Sequence, residues 1–190
     1  AGGGRLARPG VISLAHRGVL FMDELPEFRR NAIEILRQPL EDKRIHIART
    51  YGNFVYPADF MLVAAMNPCP CGYFPDRNRC ACTETEVRKY LSRISGPILD
   101  RIDVVTEAPR VDIRQLSADM RNECSADIRR RVAGARERQR ARYMGTGYRF
   151  NAELRPGDIR EYCRLGTREQ HMMEEIFTMM NLSARAYHKI

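Results

Sequence analysis

Long apolar runs are missing from this chain. Nothing in its 190 residues approaches the roughly 18 consecutive apolar positions of a membrane-spanning helix. The opening Ala1-Gly-Gly-Gly-Arg5 has no apolar centre of the kind a secretory signal carries. Together these point away from a membrane partner and toward a cytoplasmic protein. Internal repeats and low-complexity segments are also lacking, which sets aside solenoids and globally disordered chains. Lysine is scarce: Lys43, Lys89 and Lys189 are the only three among 32 basic residues. No G-x-x-x-x-G-K-[ST] string occurs, so the chain has no phosphate-binding loop of that type.

Apolar residues make up 44% of the chain, enough for a real core. The length suits one large domain, or one domain and a smaller companion. The start is abrupt, and the final residues up to Ile190 continue a helical pattern, so the sequence reads as a piece of a longer protein. The formal net charge is +8 and is carried mostly by arginine. Arginine's planar fork suits phosphate and carboxylate recognition. A basic balance is compatible with a nucleic-acid partner, and equally with a solvated basic surface. Six cysteines, four of them between residues 69 and 82, suggest metal binding or free thiols in a reducing compartment rather than a disulfide framework.

The order of elements changes along the chain. Residues 18–22 and 60–66 read as parallel strands buried on both faces. Between them come a helix over 30–38, stopped by Pro39, and a hairpin over 45–57 with its turn at residues 50–53. A Pro/Gly/Cys-rich loop fills 68–82. A helix over 83–95 follows, with Thr83 and Glu86 spaced as a capping box, and Gly96-Pro97 ends it. Residues 104–106 read as a third strand. Beyond about Pro109 only helical patterns remain: 126–144, one from Pro156, one opening on a second Thr167/Gln170 capping box, and one from Ser183. In the third of these, Met172, Met173, Ile176, Phe177 and Met180 form a core stripe. The expected architecture is an α/β part, 1–111, followed by a small all-helical part, 112–190, with the boundary near 110–124.

Several residues stand where chemistry is done. Asp23 and Glu24 end a buried strand, at the sheet edge where open α/β folds bind ligands. One carboxylate there can hold Mg²⁺ through water and the other can polarise an attacking water. The plainer alternative is two acids that terminate a strand. Asn67 ends the next strand, where its amide either orients water against a γ-phosphate or serves the turn before Pro68. Arg101, between flanking apolar residues, either reaches a phosphate across a subunit boundary or pairs with a nearby acid. Arg185, just after the N-cap candidate Ser183, opposes the helix dipole unless an anion is bound.

Cys69-x-Cys71 and Cys80-x-Cys82 can supply four thiolates to one Zn²⁺ and staple a loop poor in apolar residues. Their C-x-C spacing is tighter than the usual C-x₂-C, and four reduced thiols in a flexible loop is the alternative. At the hairpin tip, Arg49 and Tyr51 offer a cation and an aromatic ring, the two elements of a single-strand grip, or else a solvated turn. The arginines of 129–142 read as a wet helix face.

Four strings carry a resemblance: ISLAHRGVLFMDELPEF at 12–28, LRQPLE at 36–41, AMNPCPCG at 65–72 and YLSRISGPILDRID at 90–103. With them, residues 9–111 resemble the magnesium-chelatase-related AAA+ ATPases, in particular their ComM/YifB group. The tail, with Asn151-Ala152 and Ser183 to Ala186, fits the family's lid more loosely. The resemblance implies a partial AAA+ P-loop core with an inserted hairpin, followed by a helical lid. It implies Walker B roles for Asp23 and Glu24, sensor 1 for Asn67, an arginine finger at Arg101 and sensor 2 at Arg185. A hexameric ring using ATP and Mg²⁺ is implied too, with the hairpin at its pore. The Walker A loop and the group's Lon-protease-like region are missing from these residues, so this chain alone is expected to be inactive. The cysteine quartet belongs with the ComM/YifB group rather than with chelatase subunits. The implied activity is DNA translocation or branch migration in recombination or natural transformation. The alternatives are a motor driving Mg²⁺ insertion into a porphyrin and a protease-associated remodeller.

Overall fold

The computed structural model describes residues 2–3, 7–108 and 123–189. Cα packing divides it into two compact units, Ala1–Val105 and Thr106–Ile190. The architecture is mixed α/β, with a small parallel sheet and helices.

In the first unit, two-residue strands β1 (Gly2–Gly3) and β2 (Arg8–Pro9) pair antiparallel, and helix α1 (Val11–Leu14) follows. Strand β3 (Val19–Met22) then runs parallel to β6 (Met61–Ala64), with Val19 opposite Met61 and Met22 opposite Ala64. The ladder extends past both strand ends. Arg17 N–H donates to Asp59 O at 2.6 Å, Ala65 N–H to Met22 O at 2.9 Å, and Leu25 N–H to Ala65 O at 3.0 Å. Between these strands lie helices α2 (Arg30–Glu34) and α3 (Arg37–Asp42) and the hairpin of β4 (Arg44–Arg49) and β5 (Gly52–Pro57). The hairpin turns its alternate residues inward: Ile45 and Ile47 are buried and face Tyr56 and Phe54. One core joins them to Leu20, Met22, Leu25, Ile33, Leu36, Ile94 and Ile98. Burying such a side chain contributes about 1.5–3 kcal/mol.

Several expectations are corrected. The strands are buried on one face only: Leu20 and Met22 point into the core, while Val19 and Phe21 are 58% and 59% exposed and Met61 63%. A parallel pair needs layers on both sides to bury both faces, and among the described residues only one side is covered. Pro39 does not stop a helix. The chain breaks at Ile35-Leu36 and restarts, placing Pro39 in the first turn of α3, where its missing N–H has no intrahelical acceptor to satisfy. The hairpin turn is tighter than expected, since Arg49 pairs with Gly52 and leaves only Thr50-Tyr51 as the loop. Residues 104–106 form no strand. Val104 and Val105 are 80% and 78% exposed, with no strand edge beside them among the described residues to complete a ladder.

The Thr83 capping box is present. Thr83 Oγ1 accepts from Glu86 N–H at 3.2 Å and Thr83 N–H donates to Glu86 Oε2 at 2.8 Å, opening helix α4 (Glu84–Leu91). This helix ends at Leu91, earlier than expected. Gly96-Pro97 starts a new helix, α5 (Gly96–Leu99), with Pro97 in its first turn.

The second unit is helical: α6 (Ser125–Arg142), α7 (Pro156–Tyr162), α8 (Thr167–Met179) and α9 (Ala184–Lys189). No residue of α6 is buried, which matches a wet arginine face. The unit packs around aromatic side chains instead. Tyr143 is buried, its hydroxyl donates to Asn151 Oδ1 at 2.9 Å, and its ring meets those of Tyr148 and Tyr162 edge-on. The methionine stripe of α8 is corrected: Met173 alone is buried, while Met172, Phe177 and Met180 are exposed. Thr167 is also not a cap. Gly166 takes the N-cap position and its carbonyl accepts from Gln170 N–H at 2.9 Å, so the box residues are shifted one place into the helix. Ser183 does cap α9, accepting from Ala186 N–H at 3.1 Å. The expected boundary at 110–124 falls mainly on residues outside those described.

The Thr83 N–H holds the Glu86 carboxyl below its usual range. Its contribution to the cap is present above the unfolded glutamate value of about 4.3 and is lost as pH falls through the lower folded value. Amide exchange followed through an acid titration is expected to show the first turn of α4 losing protection over that window, with Glu86→Gln losing the pH dependence.

Candidate functional site

The carboxyl edge of the β3–β6 pair brings together Asp23, Glu24 and Asn67. Where the ladder ends, Asp23 and Glu24 emerge from β3, and Asn67 lies just beyond Ala65 on the adjacent strand. All three side chains are exposed. Asp23 Oδ1 accepts from the Glu24 N–H at 2.9 Å, which fixes one carboxylate oxygen of this exposed side chain. Glu24 is left-handed, with φ 50° and ψ 46°. For a residue with a side chain that conformation costs about 1–2 kcal/mol and persists only when neighbours impose it. Here they do. Leu25, immediately after, is buried and bonded to Ala65 O, and the Glu24 carbonyl accepts from Glu27 N–H at 2.8 Å. The turn Leu25–Glu27 is thus anchored under the two acids.

Two residues to which the sequence assigned no role of their own support this edge. Arg93 Nη1 donates to Pro26 O at 3.1 Å and to Glu27 Oε2 at 3.0 Å, clamping the turn. Tyr90 is buried beneath Arg93, whose guanidinium sits 5.7 Å from its ring. Burial raises the Tyr90 hydroxyl above its usual range and the charges of Glu27 and Glu24 add to that, while the Arg93 charge and the backbone N–H of Asn67 partly oppose it. Tyr90 thus lies beside the Asn67 backbone, under the guanidinium of Arg93. The string YLSRISGP holds both: Tyr90 in the last turn of α4 and Arg93 in the turn that follows it.

Arg101 is not turned outward. It is 11% exposed, with Nη2 on Glu41 Oε2 at 2.5 Å and Nη1 on Pro97 O at 2.5 Å. It lines a depression of about 530 Å³ with Glu34, Arg37, Asp42 and His46. Of its two readings, the acid pair is the arrangement seen here. Arg49 and Tyr51 do sit at the hairpin tip. Arg49 donates to Ala48 O at 2.9 Å, and Tyr51, largely exposed, meets Phe54 edge-on. Arg185 belongs to the second unit, exposed in the first turn of α9.

The loop after Asn67 brings all four cysteines together. The Sγ atoms of Cys69, Cys71, Cys80 and Cys82 lie within 4.8 Å of one another. Cys69 and Cys71 are 3.4 Å apart, Cys69 and Cys80 3.8 Å, and Cys71 and Cys80 3.6 Å. Four thiolates about 2.3 Å from a tetrahedral Zn²⁺ stand about 3.8 Å from each other, so the residues present fit such an ion. Burial pushes the Cys69 thiol up, but the Phe74 N–H and the Cys71 thiol outweigh it and bring it to about 6. The Cys71 N–H pulls Cys82 down, yet the Cys71 thiol, burial and the Cys69 charge raise it to about 12.

The family model for magnesium chelatase subunit ChlI matches residues 1–116, and that for the ChlI C-terminal region matches residues 122–190. The chain belongs to the magnesium-chelatase-related family. Within it, the chain is 43% identical over all its 190 residues to YifB of Escherichia coli K12, and 41% to the competence protein ComM of Haemophilus influenzae. This places it in the ComM/YifB group. A magnesium-chelatase 67 kDa subunit of Chlorobaculum tepidum is 35% identical over 68 residues, 36% of this chain. The chain spans 37% of the length of YifB and 36% of that of ComM. The family membership expected from the four strings is thereby established.

Glu41→Ala leaves the Arg101 guanidinium nearly buried with one carbonyl partner. Because Glu41 itself is half exposed, the expected loss is about 1–3 kcal/mol, below that of a fully buried pair. A lowered urea midpoint at unchanged slope is the measurement.

Proposed function

We propose that these residues are the rear part of an ATP-hydrolysing AAA+ ring motor that moves DNA, with the second unit as its helical lid. The observation that carries this reading is the convergence of Asp23, Glu24 and Asn67 on one parallel-sheet edge in a chain of the ComM/YifB group. Two exposed carboxylates and a neutral amide suit a hydrated Mg²⁺ beside a nucleotide phosphate. Bound Mg²⁺ and ATP supply the electrophilic phosphorus and neutralise its charge. Asp23 would hold the hydrated Mg²⁺. Glu24 accepts a proton from the attacking water, and Asn67 orients that water. Arg101 serves as the finger toward a neighbouring subunit, which requires release from Glu41. Arg185 serves as the lid's phosphate sensor. Transfer in recombination or natural transformation is the proposed setting, supported by the likeness to a protein named for competence.

The uncovered face of β3 and β6 supports the view that further core packs here, as does the coverage of about a third of YifB and ComM. The test is ATPase activity of the complete protein with and without single-stranded DNA. Stimulation several-fold, lost in Glu24→Gln, is expected, whereas the 190-residue chain without a phosphate loop hydrolyses nothing. An ATPase indifferent to DNA, with no salt-sensitive DNA binding, ends the DNA reading.

The hairpin tip makes a second, separate prediction. If Arg49 and Tyr51 grip single strands, the double variant Arg49→Ala/Tyr51→Ala weakens binding by roughly 10-fold or more, at about 1–3 kcal/mol per stacked base. Fluorescence anisotropy with a labelled oligonucleotide measures this, and unchanged affinity removes the tip from the interface. A magnesium-chelatase motor is the second reading, favoured by the ChlI family models. ATP-dependent Mg²⁺ insertion into a porphyrin with partner subunits would support it.

A further inference from the structure

The thiol cluster is not needed for any step assigned to the nucleotide edge, yet it lies directly against it. The loop 69–82 contains little that would order it by burial. Its own small core is Cys69, Cys80 and Val87, with Phe74, Cys71 and Cys82 packed around. Apolar burial on that scale does not by itself hold a fourteen-residue stretch of turns, since each ordered residue costs about 1–2 kcal/mol of backbone entropy. Cys69 is completely buried and Cys80 nearly so, and both point at the same spot as the two half-buried sulfurs. Four thiols from two C-x-C pairs, with separations matching a tetrahedral tetrathiolate, indicate a built site. The backbone joins in: Phe74 N–H points at Cys69 Sγ at 3.4 Å, the kind of N–H···S contact that supports a thiolate ligand. Arg77 and Arg79 stack over Phe74 and Tyr73 and bring positive charge to the loop that would carry the excess negative charge of four thiolates.

The same loop touches Asn67. Gly72 turns with φ +78°, stabilised by its N–H donating to Cys69 O at 3.0 Å. A Cβ built on Gly72 would stand 3.8 Å from Asn67 Cγ and Oδ1, so this turn is the wall beside the Asn67 amide. On the other side, α4 carries both Val87, packed on the cysteines, and Tyr90, buried beside the Asn67 backbone.

We propose that Cys69, Cys71, Cys80 and Cys82 bind one structural Zn²⁺, and that this ion fixes the Gly72 turn as the backing that positions Asn67. Asn67 is thereby a residue whose placement depends on metal loading. The metal site stands without the nucleotide reading; the consequence for catalysis rests on it.

The full chain, purified under reducing conditions, provides the test. Elemental analysis should find close to one zinc per chain, and a thiol reagent should titrate Cys124 and Cys163 promptly but the quartet only after a chelator and mercurial remove the metal. Replacement with Co²⁺ should give the thiolate-to-metal charge-transfer band and the visible bands of a tetrahedral CoS₄ centre. Zinc far below one per chain, with all six thiols reacting at once in folded protein, overturns the site. Cys71→Ser should lose the metal and Cys163→Ser keep it. Because Cys71→Ser can misfold, hydrogen exchange on wild-type protein, loaded and stripped, decides the second half. Stripping should reduce protection around residues 67–74 by about tenfold or more while β3 and β6 keep theirs. Zinc bound with unchanged exchange at 67–74 overturns the positioning role. Neither readout involves ATP hydrolysis, so failure here and failure of the motor reading are separately visible.

Discussion

Everything in the first unit depends on the register between β3 and β6. The ladder runs without interruption from Arg17, bonded to Asp59, to Leu25, bonded to Ala65. At its amino end the pairing is reinforced from side chains: His16 Nδ1 accepts from Asp59 N–H at 3.1 Å, and Arg17 and Lys43 both pair with the Asp59 carboxylate. At its carboxyl end the same register sets Asp23 and Glu24 beside the strand that leads to Asn67. A slip of one residue would turn Leu20 and Met22 outward and send Val19 and Phe21 into the core. The buried side of Ile33, Leu36, Ile94 and Ile98 accepts only one of those arrangements. Core packing and site geometry are therefore the same constraint viewed from two ends.

The site edge is braced by elements far away in sequence. Helix α4 delivers Tyr90 to the Arg93 guanidinium and Val87 to the thiols, and the turn after it delivers Arg93 to the carbonyl of Pro26. Glu24 is kept in a left-handed conformation between a ladder bond and a buried leucine. A strained, over-determined acid at a strand end is the arrangement expected where position matters more than local comfort. Arg101 is held as well, but by Glu41 rather than by anything at the acid edge. Both residues come from strings that mark the family, LRQPLE and YLSRISGPILDRID, so the pair joins two of its signatures physically.

The exposed apolar face of the parallel pair and the exposed Val104 and Val105 share one physical cause. Strands that read as fully apolar are suited to the middle of a layered α/β core, and among the described residues only one of those layers is present. That explains why a strand pattern at 104–106 gave no ladder. The second unit shows a related effect. The α8 stripe has the right spacing for a core, yet the aromatic cluster of Tyr143, Tyr148 and Tyr162, further tied by a hydroxyl of Tyr148 on Asp158, supplies that unit's packing.

Sequence by itself determined the local and chemical alphabet: strands within 18–22 and 60–66, the hairpin, the Thr83 capping box, the Ser183 cap, two acids at a strand end, two C-x-C pairs and the family. These are legible because periodicity, caps and long motif strings are properties of neighbouring residues. Tertiary structure alone decided that Pro39 lies inside a helix, that one strand face stays bare, that Arg101 pairs with Glu41, and that Tyr90, Arg93 and Gly72 serve the site edge. Those outcomes depend on which distant surface arrives opposite a residue. That is set by packing and by the layers present, and no window of sequence contains it.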